Sequence, residues 1–75
     1  MEDTLSVGEI SKHINTFLGK LDKENRIMFV RRYWHADSIG DIAELFGVSK
    51  HTVSVRLSRT REKLRKYLEK EGVYI

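Results

Sequence analysis

The sequence has no cysteine, no proline and only five glycines among its 75 residues. Without cysteine there can be no disulfide framework, no thiolate zinc site and no cysteine nucleophile. The same lack fits a reducing compartment, and a cytoplasmic location is expected. Missing proline and scarce glycine leave little punctuation for a many-turned β-protein, which favours helices. No apolar run is long enough to span a bilayer and no signal-peptide pattern opens the chain, so no membrane role is expected. A chain of this length makes one domain whose small core must rely on well-packed helices. No Ser/His/Asp set, carboxylate pair or glycine-rich phosphate loop stands out, and the chain is not read as an enzyme.

What is present is charge, unevenly spread. Residues 1–49 hold six Lys/Arg against eight Asp/Glu, a balance of −2. Residues 50–75 hold eight Lys/Arg against three Asp/Glu, a balance of +5. A basic final third on a mildly acidic body suits an anionic partner, although a solvated lysine-rich helix face would look the same.

Helical spacing runs through most of the chain. Residues 1–5 carry no pattern and are expected to fray, leaving residues 6–75 as the single domain. Val7, Ile10, Ile14, Phe17 and Leu18 recur at the three- and four-residue steps of a first helix, capped by Thr4 or Ser6 and stopped at Gly19. Asp22 caps a second helix, expected to reach about His35. Its buried side would be Met28, Phe29 and Tyr33, with Val30 and Trp34 beside them. Ser38 caps a short third helix with a capping-box partner in Asp41, and Gly47 ends it. Ser49 caps a fourth helix whose inward positions are Val53, Leu57, Thr60, Leu64 and Leu68, with Gly72 as its stop. The fold class is therefore all-α: four helices, no wing, and a long C-terminal helix.

The third and fourth helices are joined by Gly47, Val48 and Ser49. A three-residue glycine turn is what a DNA-binding helix-turn-helix uses, and the motif spans Ile39 to Arg59. Glycine takes the left-handed backbone such a turn needs. Ala43, four residues earlier, lets the two helices cross closely. A plain helical hairpin shares each feature singly; the glycine turn and basic second helix together favour double-stranded DNA as partner.

If Val53, Leu57, Thr60 and Leu64 face inward, then Lys50, His51, Ser54, Val55, Ser58, Arg59 and Glu62 lie on the outer arc. The first two turns of a recognition helix reach base edges. Ser54, Val55, Ser58 and Arg59 are the candidate base readers, Arg59 through two bonds to a guanine and Val55 against a thymine methyl. Lys50, Thr52 and Arg56 are candidate phosphate contacts, with Arg31 and Arg32 able to grip backbone too. Arg61, Arg65 and Lys66 lie too far along and read as surface ion pairs. His35, Asp37 and Asp41 straddle a helix end and a turn, which is poor spacing for a metal, so neither metal nor cofactor is expected. Trp34 reads as a packing residue at a helix end.

Several of these residues have a familiar arrangement: Leu21, Asp22, Lys23, Glu24, Asn25 and Arg26; Phe29, Arg32 and Tyr33; Ile42 and Ala43; Gly47, Val48 and Ser49; Thr52, Val53, Arg56, Leu57 and Arg59; then Arg61, Glu62, Lys63 and Leu64. Together they resemble region 4 of bacterial sigma-70 family RNA polymerase sigma factors, closest in flavour to the extracytoplasmic-function type. The likeness covers about Ile10 to Leu68, and Val48 to Leu64 is its specific part. It implies recognition of the minus-35 promoter element, with the family's base-reading positions falling on Ser54, Val55, Ser58 and Arg59. It also implies docking on the RNA polymerase β flap through an apolar surface away from DNA, drawn from exposed residues of the first two helices, or from Leu68 and Tyr74. An anti-sigma factor is a further partner in view, and a monomer is expected.

Ser54 and Val55 stand where longer polar or basic side chains are common in the family, which leaves the base preference open. No counterpart of region 2 is present, so the chain is expected to be a C-terminal domain standing alone, with Met1 added or coincidental. Two other readings stay open: the DNA-binding output domain of a two-component regulator, which would dimerise through its last helix, and a helical protein-interaction module that never touches DNA.

Overall fold

The computed structural model describes residues 7–72, apart from the side chains of Val7 and Glu9. Four helices follow one another: α1 (Val7–Lys20), α2 (Lys23–Tyr33), α3 (Ile39–Phe46) and α4 (Lys50–Lys70). No strand occurs among the described residues, so no wing accompanies the helices. Thr4, Ser6 and Tyr74 lie outside the described residues.

Three of the helices start where the sequence supplies a capping oxygen. Asp22, Ser38 and Ser49 are each extended, with ψ between 157° and 159°. Their side chains accept the main-chain N–H of Asn25, Asp41 and Thr52 at 3.3, 3.0 and 3.0 Å. Each bond satisfies a donor that the first helical turn leaves free.

The helix ends follow from the same accounting. At the end of α3, Gly47 takes φ 67°, and the N–H groups of Gly47 and Val48 close onto Glu44 and Ala43 carbonyls at 3.3 and 3.0 Å. This left-handed closure satisfies carbonyls that the helix could not. The end of α2 comes at Tyr33, two residues before the expected stop at about His35. Both the Trp34 and His35 N–H groups turn back to the Val30 carbonyl, at 2.8 and 3.3 Å, and Ala36 then takes φ 57°. Those bends break the helix before His35.

The core forms where α4 meets the other three helices. Met28, Ile42, Val53 and Leu57 are its most enclosed side chains, at 1%, 0%, 0% and 2% exposure. Phe17, Leu18, Phe29 and Ala43 complete the buried cluster, with Leu64 and Tyr67 packed at its margin. Ala43 is buried, as a close crossing of α3 and α4 requires. Along α4 the inward stripe is Val53, Leu57, Thr60 and Leu68, with Leu64 half-buried. Thr60 tolerates burial because its Oγ1 donates to the Arg56 carbonyl at 3.0 Å.

Two readings of the sequence are corrected. Tyr33 and Trp34, placed on the buried side of α2, are 46% and 57% exposed. Phe29 lies against both rings, at centroid distances of 4.7 and 6.3 Å, but α2 ends there and both side chains stay largely exposed. Leu68, offered as an exposed docking residue, is buried at 6% because it continues the inward stripe of α4. Tyr67, which the sequence reading left out, packs against Phe17 at 5.7 Å, with the Lys20 ammonium 5.0 Å from its ring centre.

Gly47 and Ala36 occupy similar left-handed backbone with opposite side-chain consequences. A Cβ added at Gly47 would meet nothing within 4 Å, so its effect is backbone strain alone. We expect Gly47→Ala to destabilise and Ala36→Gly to stabilise, each by about 1 kcal/mol. Thermal unfolding followed by circular dichroism should show midpoints moving in opposite directions.

Candidate DNA interface

The outer face of α4 is set by its inner face. With Val53 and Leu57 sealed in the core, Lys50, His51, Ser54, Ser58 and Arg59 are exposed, and Val55 is half-buried at the edge. The four base-reading candidates thus occupy successive turns of one exposed arc, with Lys50 and His51 at its start. No acidic residue stands in the first turn of α4, whereas α2 and α3 carry Glu24 and Asp41 there. The positive end of the α4 dipole is therefore left without a neutralising carboxylate.

Capping leaves particular donors free. Ser49 Oγ accepts the Thr52 N–H and donates its own hydrogen to Thr52 Oγ1 at 3.0 Å. The Thr52 hydroxyl keeps its hydrogen for another acceptor. The N–H groups of Lys50 and His51 likewise lie in the uncapped part of the first turn. The Lys50 side chain lies over α3, with its Cε 3.3 Å from where a Cβ on Gly40 would stand. Arg59 has no ion-pair partner among the described residues.

The other candidate phosphate contacts are already engaged within the protein. Arg56 Nε donates to Asn25 Oδ1 at 3.0 Å and its Nη2 donates to Glu24 Oε1 at 3.1 Å. Arg31 pairs with the Asp37 carboxylate at 3.0 Å, and Arg32 Nη1 donates to the Asp37 carbonyl at 3.0 Å. These two arginines hold the loop between α2 and α3. Together with Asp41, Glu44 and Leu45, Arg31 and Asp37 line an open depression of about 390 Å³. Sequence reasoning missed the bonds between Arg56 and the start of α2, because their partners lie 31 and 32 residues away and no local pattern links them.

Farther along α4 the charges pair among themselves. Arg65 bonds Glu62 and also Glu69, the latter at 2.8 Å. The bond from Arg65 holds the Glu62 carboxyl below its ordinary range and raises the Arg65 guanidinium in turn. Arg65 is thus in the ion pairs expected for it, while Arg61 instead donates to the Tyr33 hydroxyl at 2.7 Å. No three His, Asp or Glu side chains among the described residues are grouped to hold a metal. No described helix is long and apolar enough to cross a membrane.

A glycine-turned helix pair with an exposed basic helix defines a helix-turn-helix DNA-binding module. The comparison with known families is more particular. The family model described as Sigma-70, region 4 matches residues 11–64, and the chain belongs to that family. No curated protein matches the chain. It is accordingly a sigma-factor module that binds DNA and works with RNA polymerase in transcription initiation, in a family of DNA-binding domains rather than enzymes.

The cap of α2 carries a pH dependence. The Asn25 main-chain N–H holds the Asp22 carboxyl below its ordinary range, aided by the Asn25 side chain and the charge of Arg56. A carboxyl lowered in the folded state stabilises the fold above its unfolded pKa, and that contribution fades as pH falls through the folded value. We expect the Asn25 amide to lose exchange protection as pH is lowered through the acid range, and Asp22→Asn to flatten this response. Hydrogen exchange followed by NMR checks both.

Proposed function

We propose that the module reads the minus-35 promoter element with the outer face of α4 and docks on the β flap of RNA polymerase. The observation that carries the reading is the start of α4: a serine-capped N-terminus without a first-turn acid, continuing into an outer arc of exposed Ser54, Ser58 and Arg59 with half-buried Val55 at its edge. Such a helix start favours a phosphate, and the next two turns can then enter the major groove. Lys50 and Thr52 supply phosphate contacts that fix register, while Arg59 and the shorter side chains read base edges. On this reading the chain serves a cytoplasmic sigma factor of the extracytoplasmic-function type and binds as a monomer.

With Leu68 buried, flap docking falls to apolar surface elsewhere. Tyr33 and Trp34, exposed at the end of α2, are our candidates for it. Their rings offer large contact area with a polar handle, the composition favoured at protein interfaces. The same rings are accessible to an anti-sigma factor.

The experiment is selection of bound sequences from random duplexes, with capture on the isolated β flap beside it. An enriched promoter-like element is expected; a pool without enrichment would defeat the DNA reading. Arg59→Ala should relax preference at one base position, by about 1–3 kcal/mol, while Lys50→Ala should weaken all sequences alike and lower the salt slope by about 1. Trp34→Ala should reduce flap capture and leave DNA affinity unchanged.

A further inference from the structure

Arg56 lies in the second turn of α4, among the base-reading positions, yet its side chain is only 25% exposed and turns toward α2. Its guanidinium makes two directed bonds to consecutive residues there, Nε to Asn25 and Nη2 to Glu24. Asn25 is itself oriented. Its Nδ2 donates to Asp22 Oδ1 at 2.6 Å, and its main-chain N–H donates to Asp22 Oδ2 at 3.3 Å. The Asn25 amide thus passes from carboxylate to guanidinium, nitrogen toward one and oxygen toward the other. The run Asp22–Asn25–Arg56–Glu24 ties the cap of one helix to the middle of the reading face of another.

We infer that Arg56 is a positioning residue for base reading: it fixes the rotation of α4 about its own axis, and through it the angle at which Ser54, Val55, Ser58 and Arg59 meet DNA. The inference rests on the DNA-reading role proposed above and replaces a phosphate contact for Arg56. The physical need for it is specific. The inward stripe of α4 is apolar apart from Thr60, and apolar contact is not directional. Such a stripe resists withdrawal of the helix better than a small roll within its groove. Hydrogen bonds are directional, and a planar guanidinium held at two nitrogens admits one orientation. The bond to Asn25 is part-buried, whereas Glu24 is 63% exposed, so the Asn25 bond is the one that sets the orientation. A roll of α4 would leave its charge facing DNA unchanged and misalign its base contacts.

The test uses the whole chain and two duplexes, one carrying the selected element and one scrambled, with affinities measured across a salt series. Arg56→Lys keeps the charge and loses the fork; Asn25→Ala removes the acceptor and leaves Arg56 in place. Either variant should lose about tenfold in discrimination between the duplexes, comparable with one mismatched base pair. Scrambled-duplex affinity and salt slope should be unchanged, and the double variant should be no worse than either single one. Circular dichroism should show the helices intact in all three. A different pattern would overturn the inference: Arg56→Gln lowering the salt slope by about 1 while Asn25→Ala behaves as wild type, the mark of a direct phosphate ligand. Equal discrimination by wild type and both single variants would overturn it too. Failure of the wild-type chain to discriminate would instead defeat the DNA-reading role on which the inference stands.

Discussion

Everything in this molecule depends on one helix serving two masters. The inward side of α4 closes the core: Val53 and Leu57 are sealed against Ile42, Ala43 and Met28. Its outward side is the face proposed above to meet DNA. Because one backbone carries both sets of side chains, burial of the first fixes the direction of the second. Of the other helices, α3 supplies the partner surface and the turn, α2 supplies Met28 and Phe29 from the other side, and α1 adds Phe17 and Leu18. None of them needs to contribute to the outer face of α4 for its direction to be set.

The polar interactions do different work from the apolar ones. Burial holds α4 in place, at roughly 1.5–3 kcal/mol for each fully enclosed aliphatic side chain. The caps at Asp22, Ser38 and Ser49 decide where helices begin, and the left-handed residues Gly47 and Ala36 decide how the chain leaves them. Side-chain bonds between elements then set angles. Arg31 and Arg32 brace the loop between α2 and α3, and Arg56 braces α4 against α2. All three arginines look like free cations in the sequence, yet each is engaged by a partner within the protein.

That difference marks what a sequence can disclose here. Asp22, Ser38, Ser49 and Gly47 were legible because capping and turn closure act over three to five residues, within reach of any local pattern. The inward phase of α4 was legible because Val53, Leu57, Leu64 and Leu68 repeat at helical steps. The bonds of Arg56 were not, since they depend on how two distant helices come to lie together. Tyr33 and Trp34 failed for a related reason. Their apolar character predicts burial, but burial needs cover on every side, and α2 ends with Tyr33 and Trp34 still 46% and 57% exposed. Among the candidate site residues, exposure of Ser54, Ser58 and Arg59 followed directly from helical phase.

The exposure of Ser54, Ser58 and Arg59 has an evolutionary consequence. These side chains contribute no enclosed surface to the core, so the fold exerts almost no selection on them. They can be exchanged for others without relocating a helix, so on the proposed reading recognition is free to drift while the scaffold stays still. Arg56 and the core positions beside it are not free in this way. If these residues read DNA as proposed, a new specificity is a short mutational walk across a fixed scaffold.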